Sequence, residues 1–404
     1  MAYTKEDVIR MVTERSIRFI AVSFCDVFGE QKTVTIMPGE LERAFESGVS
    51  LDAAQIEGFR TEAKIDLLVR PDPSTFSELP STFTHMTTGR AARMFGNIFY
   101  PDGRPFENDT RAILQEAVKE AAEKGYAFNF GPAIEFYLME EKEKEGLVPY
   151  DHVGYMASAP LDRCAYIRRQ ICLDLEQMDI QPETAYHEEG PGQNKIKFRF
   201  SDPVTAADAV IAYKNVVHDV AARNGIVADF SAKPIEKAPG NSMHVNMSIR
   251  SERGADLTAH IIAGILQRIP EMTLFLNPTR RSYRRLGRDN APKYISWSDA
   301  NRSTLIRIPA YGGYTRFELR SPDNDANPYL AFALLIRASL YGIEEKPVLQ
   351  AANEEDLFLA DPRTLTRLKT LPSSLQEAQK EAKNSAFIGK YFSRTLIDSY
   401  LKDR

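Results

Sequence analysis

Four segments of this chain alternate charged or polar residues with apolar ones at a spacing of two, and that parity limits what it can fold into. Successive side chains of a β-strand point to opposite faces, so each segment has the pattern of a strand with one polar and one apolar side. Ala133, Glu135 and Tyr137 oppose Ile134, Phe136 and Leu138; Lys195, Lys197 and Arg199 oppose Ile196, Phe198 and Phe200. His244, Asn246 and Ser248 oppose Val245, Met247 and Ile249, while Arg316, Glu318 and Arg320 oppose Phe317 and Leu319. A sheet with one solvated face produces such alternation by itself. A freely solvated face gives no reason for His, Asn and Ser among the small residues of GNSMHVNMS (Gly240 to Ser248), whereas a sheet curved around polar ligands does.

A chain of 404 residues is too long for one small core and fits two domains. The turn-rich PDGRP (Pro101 to Pro105) places the junction between residues 1–100 and 101–404. Ahead of it, Val8, Ile9, Met11 and Val12 keep a helical rhythm, Ile17 to Phe28 and Lys32 to Ile36 form two strands around a Gly29 turn, and a helix follows over Pro38 to Glu46. Beyond it, Asp109 or Thr110 starts a helix that Gly125 stops, and a strand runs from Tyr126 to Met139. Further helices are expected over Leu161–Met178, Thr205–Asn224, Leu257–Gln267, Pro328–Ile343, Ser374–Ala386 and Ile388–Leu401.

The formal net charge of -5 argues against a nucleic-acid partner, which needs a clustered basic excess, and favours small molecules. Cys25, Cys164 and Cys172 have no CxxC spacing and suit reduced, packed thiols. No apolar run approaches the ~18 residues of a membrane span, and the N-terminus lacks an apolar leader. A cytoplasmic protein without membrane contact is expected.

Five segments, GPAIEFYL (Gly131 to Leu138), HEEGPGQNKIKF (His187 to Phe198), GNSMHVNMS, SDANRSTLIRIP (Ser298 to Pro309) and RFELRSPDNDANPYL (Arg316 to Leu330), resemble type I glutamine synthetase in order and spacing. The resemblance runs from Tyr3 to about Ile388. It implies an α+β fold: a small N-terminal β-grasp-like domain, then a large C-terminal ATP- and glutamate-binding domain whose curved antiparallel sheet forms a half-barrel backed by helices. It also implies a carboxylate–amine ligase using ATP and Mg²⁺ or Mn²⁺, with glutamate and ammonia or another amine as substrates.

Residue by residue, Glu135 and Glu188 match two ligands of the family's first metal, and His244 and Glu318 match two of the second. Arg302 and Arg320 match groups that stabilise the transferring phosphate, and Arg307 and Arg316 match nucleotide contacts along with Glu183, Asn246 and Ser248. Gly240, Arg285, Arg320 and Glu135 match the amino-acid site, and Asp52 matches an acid that binds and deprotonates ammonium across a subunit boundary. The remaining metal positions hold Lys195 at the first site and Ala133 at the second, and the flap glutamate is Asn290.

These departures are physically large. An ammonium about 4 Å from a divalent cation repels it by roughly 8 kcal/mol at an effective dielectric of about 20. The expected outcome is that Lys195 itself takes the first ion's place, paired with Glu135 and Glu188, and that Ala133 weakens the second site. An amide at 290 cannot act as a general base. Two functions stay open: a ligase of weakened or altered activity, and a non-catalytic homologue that senses a nucleotide or amino acid or regulates a true glutamine synthetase. A lesser alternative has Lys195 contacting an extra carboxylate of a different substrate. The resemblance implies closed cyclic assembly. Because the chain stops at Arg404, short of the arm that joins two rings in type I enzymes, a single hexameric ring or a differently stacked dodecamer is expected.

Overall fold

Two sheets organise the computed structural model, which describes residues 3–60, 66–80, 89–251, 256–309 and 316–402. The first sheet contains β1 (Ile17–Cys25), β2 (Gln31–Ile36), β3 (Val49–Asp52), β4 (Asp66–Pro71), β5 (Ser77–Glu78) and β6 (Arg90–Phe99). They lie in the order β2-β1-β6-β4-β3 with β5 beside β6, and β1 and β6 run parallel. Helices α1 (Lys5–Glu14) and α2 (Leu41–Ser47) accompany this sheet.

The second sheet is built on β7 (Tyr126–Lys142), with β8 (Gly146–Pro149), β9 (Pro182–His187), β10 (Gln193–Phe198), β11 (Val227–Asp229), β12 (Met243–Ser251), β13 (Trp297–Ser298), β14 (Ile306–Arg307) and β15 (Arg316–Leu319). Its order is β13-β14-β15-β12-β7-β10-β9, and β8 and β11 flank β7. It is antiparallel, as expected, except for the short edge pair β13–β14, which is parallel.

The apolar parity of the strands decides which side the helices cover. Ile134, Phe136, Leu138, Ile196, Val245, Met247 and Leu319 are all fully buried. Helices α3 (Thr110–Glu123) and α5 (Pro203–Arg223) pack on β7, α4 (Ala165–Gln177) packs on α5 and β9, and α8 (Pro328–Glu345) packs on α3, α5 and α6 (Thr258–Leu276). Local signals set the ends. Asp109 caps α3 through the Arg111 amide, Asn327 caps α8 through Tyr329, and Gly125 and Gly225 take positive φ just past α3 and α5. Helix α8 is apolar on all sides because it is enclosed on all sides: Leu330 to Ile336 are fully buried.

Local pattern loses to packing at several places. Helix α6 does not stop at Gln267 but runs through Pro270, because Ile269, Met272, Leu274, Phe275 and Leu276 are all buried. Burial of that apolar stretch outweighs the missing amide of the proline. The expected C-terminal helix is two, Ala386–Tyr391 and Arg394–Tyr400, because Ser393 caps a new start at Arg394 by accepting from the Leu396 amide. An unforeseen short helix, α7 (Arg280–Arg285), begins at a capping box on Thr279 and Ser282.

The two sheets are joined by a buried ionic cluster. Arg111 on α3 binds Asp208 of α5 through Nε at 3.1 Å and a terminal nitrogen at 3.0 Å, and reaches Asp72, just past β4, at 2.9 Å. Tyr329 Oη donates to Asp208 at 2.6 Å.

Glycine is required where α6 and α8 cross. A methyl group on Gly342 would lie 2.1 Å from the His260 carbonyl oxygen, and one on Gly264 would lie 2.5 Å from that of Ala338. Gly342→Ala is therefore expected to destabilise the fold by about 1–3 kcal/mol, measured as a lower denaturant midpoint at unchanged slope.

Candidate active site

Strand register brings the predicted polar residues together. Glu135 on β7 pairs with Lys195 on β10, Ala133 faces Lys197 on one side and His244 of β12 on the other, and Asn246 pairs with Glu318 on β15. Their shared face borders a cavity of about 360 Å³ lined by Glu135, Glu188, Lys195, His244, Arg302 and Arg320 among others.

Lys195 lies at the centre of this group, 6% exposed. Its Nζ is 2.8 Å from Glu135 Oε1, 3.3 Å from Glu188 Oε1 and 3.3 Å from His244 Nδ1. An ammonium has three donors, and three groups of acceptor type lie within 3.3 Å of it. Burial alone would lower the lysine's pKa, but Glu135 and then Glu188 raise it above the usual lysine value, so the group is charged. Burial opposes ionisation of Glu135 as well, yet Lys195 holds that carboxyl down at about 2. Glu188 moves the other way, because burial and the negative Glu135 outweigh Lys195, so the pair shares the lysine unequally. Lys195 is thus engaged by groups of this chain while it also borders the cavity.

A second group adjoins the first. Glu318 Oε1 is 3.4 Å from His244 Nδ1, and its Oε2 is 3.2 Å from both Arg307 Nε and a terminal nitrogen of Arg320. Burial works against the Glu318 carboxylate, but the positive charges of Arg320 and Arg307 help hold its pKa well below the usual range. Burial and then the charge on Lys195 push the His244 imidazole down to about 4. A neutral ring that accepts a hydrogen bond from the lysine at Nδ1 carries its own proton on Nε2.

The donor set does not fit a resident ion at the first position, where an ammonium stands among the remaining acids. At the second, His244 and Glu318 remain, but Ala133 offers nothing and Glu318 is committed to two arginines. One other group of metal-ligand type occurs among the described residues: Asp151, Asp162, Cys164 and His187 bring their ligand atoms within 4.8 Å of one another. They are already partnered, Asp162 by Arg168 and His187 Nε2 by Asp151 at 2.8 Å. His187 Nδ1 is 2.7 Å from the Glu188 carbonyl oxygen, which helps fix Glu188 from behind. Cys164 is buried as expected but precedes α4 instead of lying within it.

Other predicted residues are placed differently. Arg285 is not presented to the cavity: it is 1% exposed and donates to Ser242 Oγ at 2.7 Å and to the Ser321 and Arg320 carbonyls at 2.8 and 3.2 Å, so it braces the floor. Gly240 borders the cavity, and a methyl group there would lie 2.4 Å from the Ala232 carbonyl oxygen and 2.8 Å from Arg285 Cγ. Asn246 and Ser248 lie further along β12, and Arg316 pairs with Ser248 across the sheet. Glu183 is 3.4 Å from Lys197 and does not border this cavity. Asp52 ends β3 in the first sheet, where it caps the following turn through the Ala54 amide, away from the cavity within one chain.

The flap adds residues that the sequence did not single out. Asp289 and Asn290 both take positive φ, which short polar side chains tolerate. Asp289 is 2.6 Å from Lys233 Nζ, and the Asn290 amide donates to both Glu189 oxygens at 3.1 Å. Glu189 thus supplies a carboxylate beside Asn290. The doubled acid in HEE was the available signal.

The model of "Glutamine synthetase, beta-Grasp domain" matches residues 16–101, and that of "Glutamine synthetase, catalytic domain" matches 107–404. Glutamine synthetase of Methanosarcina mazei is 40% identical across 98% of this chain and 92% of its own length. That of Mycolicibacterium smegmatis is 37% identical across 99% and 94%. A solved GmaS/ADP complex superposes with a TM-score of 0.88 at 24% identity, covering 98% of this chain and 94% of that one, a likeness of fold.

Two measurements check the electrostatics. The double variant Lys195→Glu with Ala133→Glu is expected to bind Mn²⁺ at least ~100-fold more tightly than the parent by calorimetry, since it removes the repulsion and restores two ligands. His244 is held below its unfolded value of 6.5, so the unfolded chain takes up a proton first. Stability is therefore expected to fall as pH drops from 6.5 towards 4, and His244→Gln to flatten that slope in denaturant titrations.

Proposed function

The chain belongs to the glutamine synthetase family, ligases that form a carbon–nitrogen bond, and we propose that it is such an ATP-dependent ligase with a tethered cation in place of the first ion. The observation that carries this reading is the Lys195 ammonium held by Glu135, Glu188 and His244 in the cavity that Arg302 and Arg320 also line. ATP, arriving as its Mg²⁺ or Mn²⁺ complex, would transfer its γ-phosphoryl group to the side-chain carboxylate of glutamate. The amine nitrogen would then attack the acyl carbon and expel phosphate. Positive charge positioned around the transferring group is what this chemistry chiefly needs, and Arg302 and Arg320 supply it. Arg307, Arg316, Asn246, Ser248 and Glu183 would serve the nucleotide.

The amine must reach the acyl carbon unprotonated. Asn290 cannot take its proton, which leaves Glu189 beside the flap or Asp52 of a neighbouring copy. Asp52 faces away from the cavity of its own chain, so its participation requires a homo-oligomer, a hexameric ring or a dodecamer, in which the small domain of one copy meets the large domain of the next. Domain limits of 1–100 and 101–404 and a cytoplasmic site of action accord with this reading; no described helix is long and apolar enough to cross a membrane.

One observation favours the non-catalytic reading. Glu318 engages Arg307 and Arg320 directly, which lowers the charge available to a phosphoryl group. Phosphate release from Mg·ATP and glutamate with ammonium, hydroxylamine and a panel of primary amines separates the two. Turnover with any amine, reduced at least ~100-fold by Arg302→Ala, is the expected result. Nucleotide binding by calorimetry without turnover would establish the sensor or regulatory role instead.

A further inference from the structure

Away from the Lys195 site, a cavity of about 1020 Å³ lies between the two sheets, lined by Phe76, Arg93 and Phe95 from the first and Phe198, Phe200 and the first turn of α5 from the second. Arg93 projects from β6, where it pairs with Ala21 of β1 and Ser77 of β5. It is only 7% exposed, and its guanidinium carbon stacks 4.5 Å from the centre of the Phe95 ring. Among the described residues its side chain donates no hydrogen bond and makes no ion pair, and its Nε is buried without a partner.

The nearest acid does not help. Both oxygens of Asp208 are engaged by Arg111, and Oδ1 also accepts from Tyr329. Burial lowers the pKa of Arg93 to about 10, with Asp208 and Tyr329 opposing it too weakly. A guanidinium mostly withdrawn from water and without a protein partner is destabilising, and an anion bound to its terminal nitrogens lowers that cost. The N-terminal end of the 21-residue α5 also borders the cavity, but Asp202 already caps it through the Thr205 amide at 3.0 Å and Pro203 has no amide to offer, so the cavity's unpartnered cation is Arg93.

The other walls narrow the class of anion. Four acids, Asp72, Asp179, Asp202 and Asp208, line the cavity against three arginines, Arg93, Arg111 and Arg199, so a multiply charged phosphate would meet a net repulsion that a single carboxylate largely avoids. Phe76, Phe198 and Phe200 offer apolar surface for the rest of the molecule, and the planar fork of an arginine matches a carboxylate. We propose that this cavity binds a small organic monocarboxylate with an apolar body, its carboxylate on Arg93, at a site separate from the one at Lys195. Because both sheets form its walls, an occupant would bridge them.

The test uses the full-length protein in its native assembly, with phenylacetate, phenyl phosphate and benzylamine as probes in calorimetry and thermal melts. Saturable phenylacetate binding is expected, unaffected by saturating glutamate, at least ~10-fold weaker in Arg93→Gln and intermediate in Arg93→Lys, which keeps the charge without the fork. Without ligand, Arg93→Gln should melt at or above the parent temperature, since it removes an unpartnered buried charge. The proposal is overturned by absent phenylacetate binding, by equal binding to Arg93→Gln, by displacement with glutamate, or by tighter binding of phenyl phosphate or benzylamine. It is also overturned if Arg93→Gln melts several degrees lower or fails to fold, which would give the guanidinium a structural partner; Arg93→Lys then reports whether carboxylate binding depends on the fork.

Discussion

The register of β7 against β10 on one side and β12 on the other is the constraint from which the concave site follows. A shift of one residue would turn Glu135, Lys195 and His244 to the helix-covered face and expose Ile134, Ile196 and Val245. The apolar half of each strand therefore fixes the polar half. The site does not need side chains that seek each other out, because burial of the opposite face has already placed them in adjacent rows.

Within that frame, charge is arranged in two linked groups and not spread evenly. Lys195 is shared between two acids and an imidazole, and Glu318, beside that imidazole, is shared between two arginines. His244 is the hinge of the arrangement: uncharged, it accepts from the lysine without adding a second cation beside Arg320. A protonated ring there would put three positive groups within a few contacts of one another.

Much of this was legible in the sequence, for reasons that can be named. Strand parity depends only on adjacent residues, and caps such as Asp109 and Asn327 act over two or three positions. Charge reversal at Lys195 was visible because the resemblance supplied its neighbours. Partnerships that depend on rotamers across long separations were not visible: Arg285 turned beneath the floor, Asn290 clasping Glu189, and Arg307 and Arg320 drawn to Glu318. Helix α6 passing Pro270 was likewise hidden, since the burial that sustains it comes from elsewhere in the chain. Arg93 was overlooked because nothing local distinguishes an unpartnered arginine from a solvated one.

A cation carried on a side chain differs from a dissolved one in having no binding equilibrium of its own. Its occupancy is always one, whatever the supply of divalent ions, and a competing metal cannot replace it. It also cannot leave during a reaction cycle, widen its coordination shell or recruit a water molecule as a ligand. A pocket organised around Lys195 thus has a permanent centre of charge, and its electrostatics are inherited with the gene instead of set by the surrounding solution.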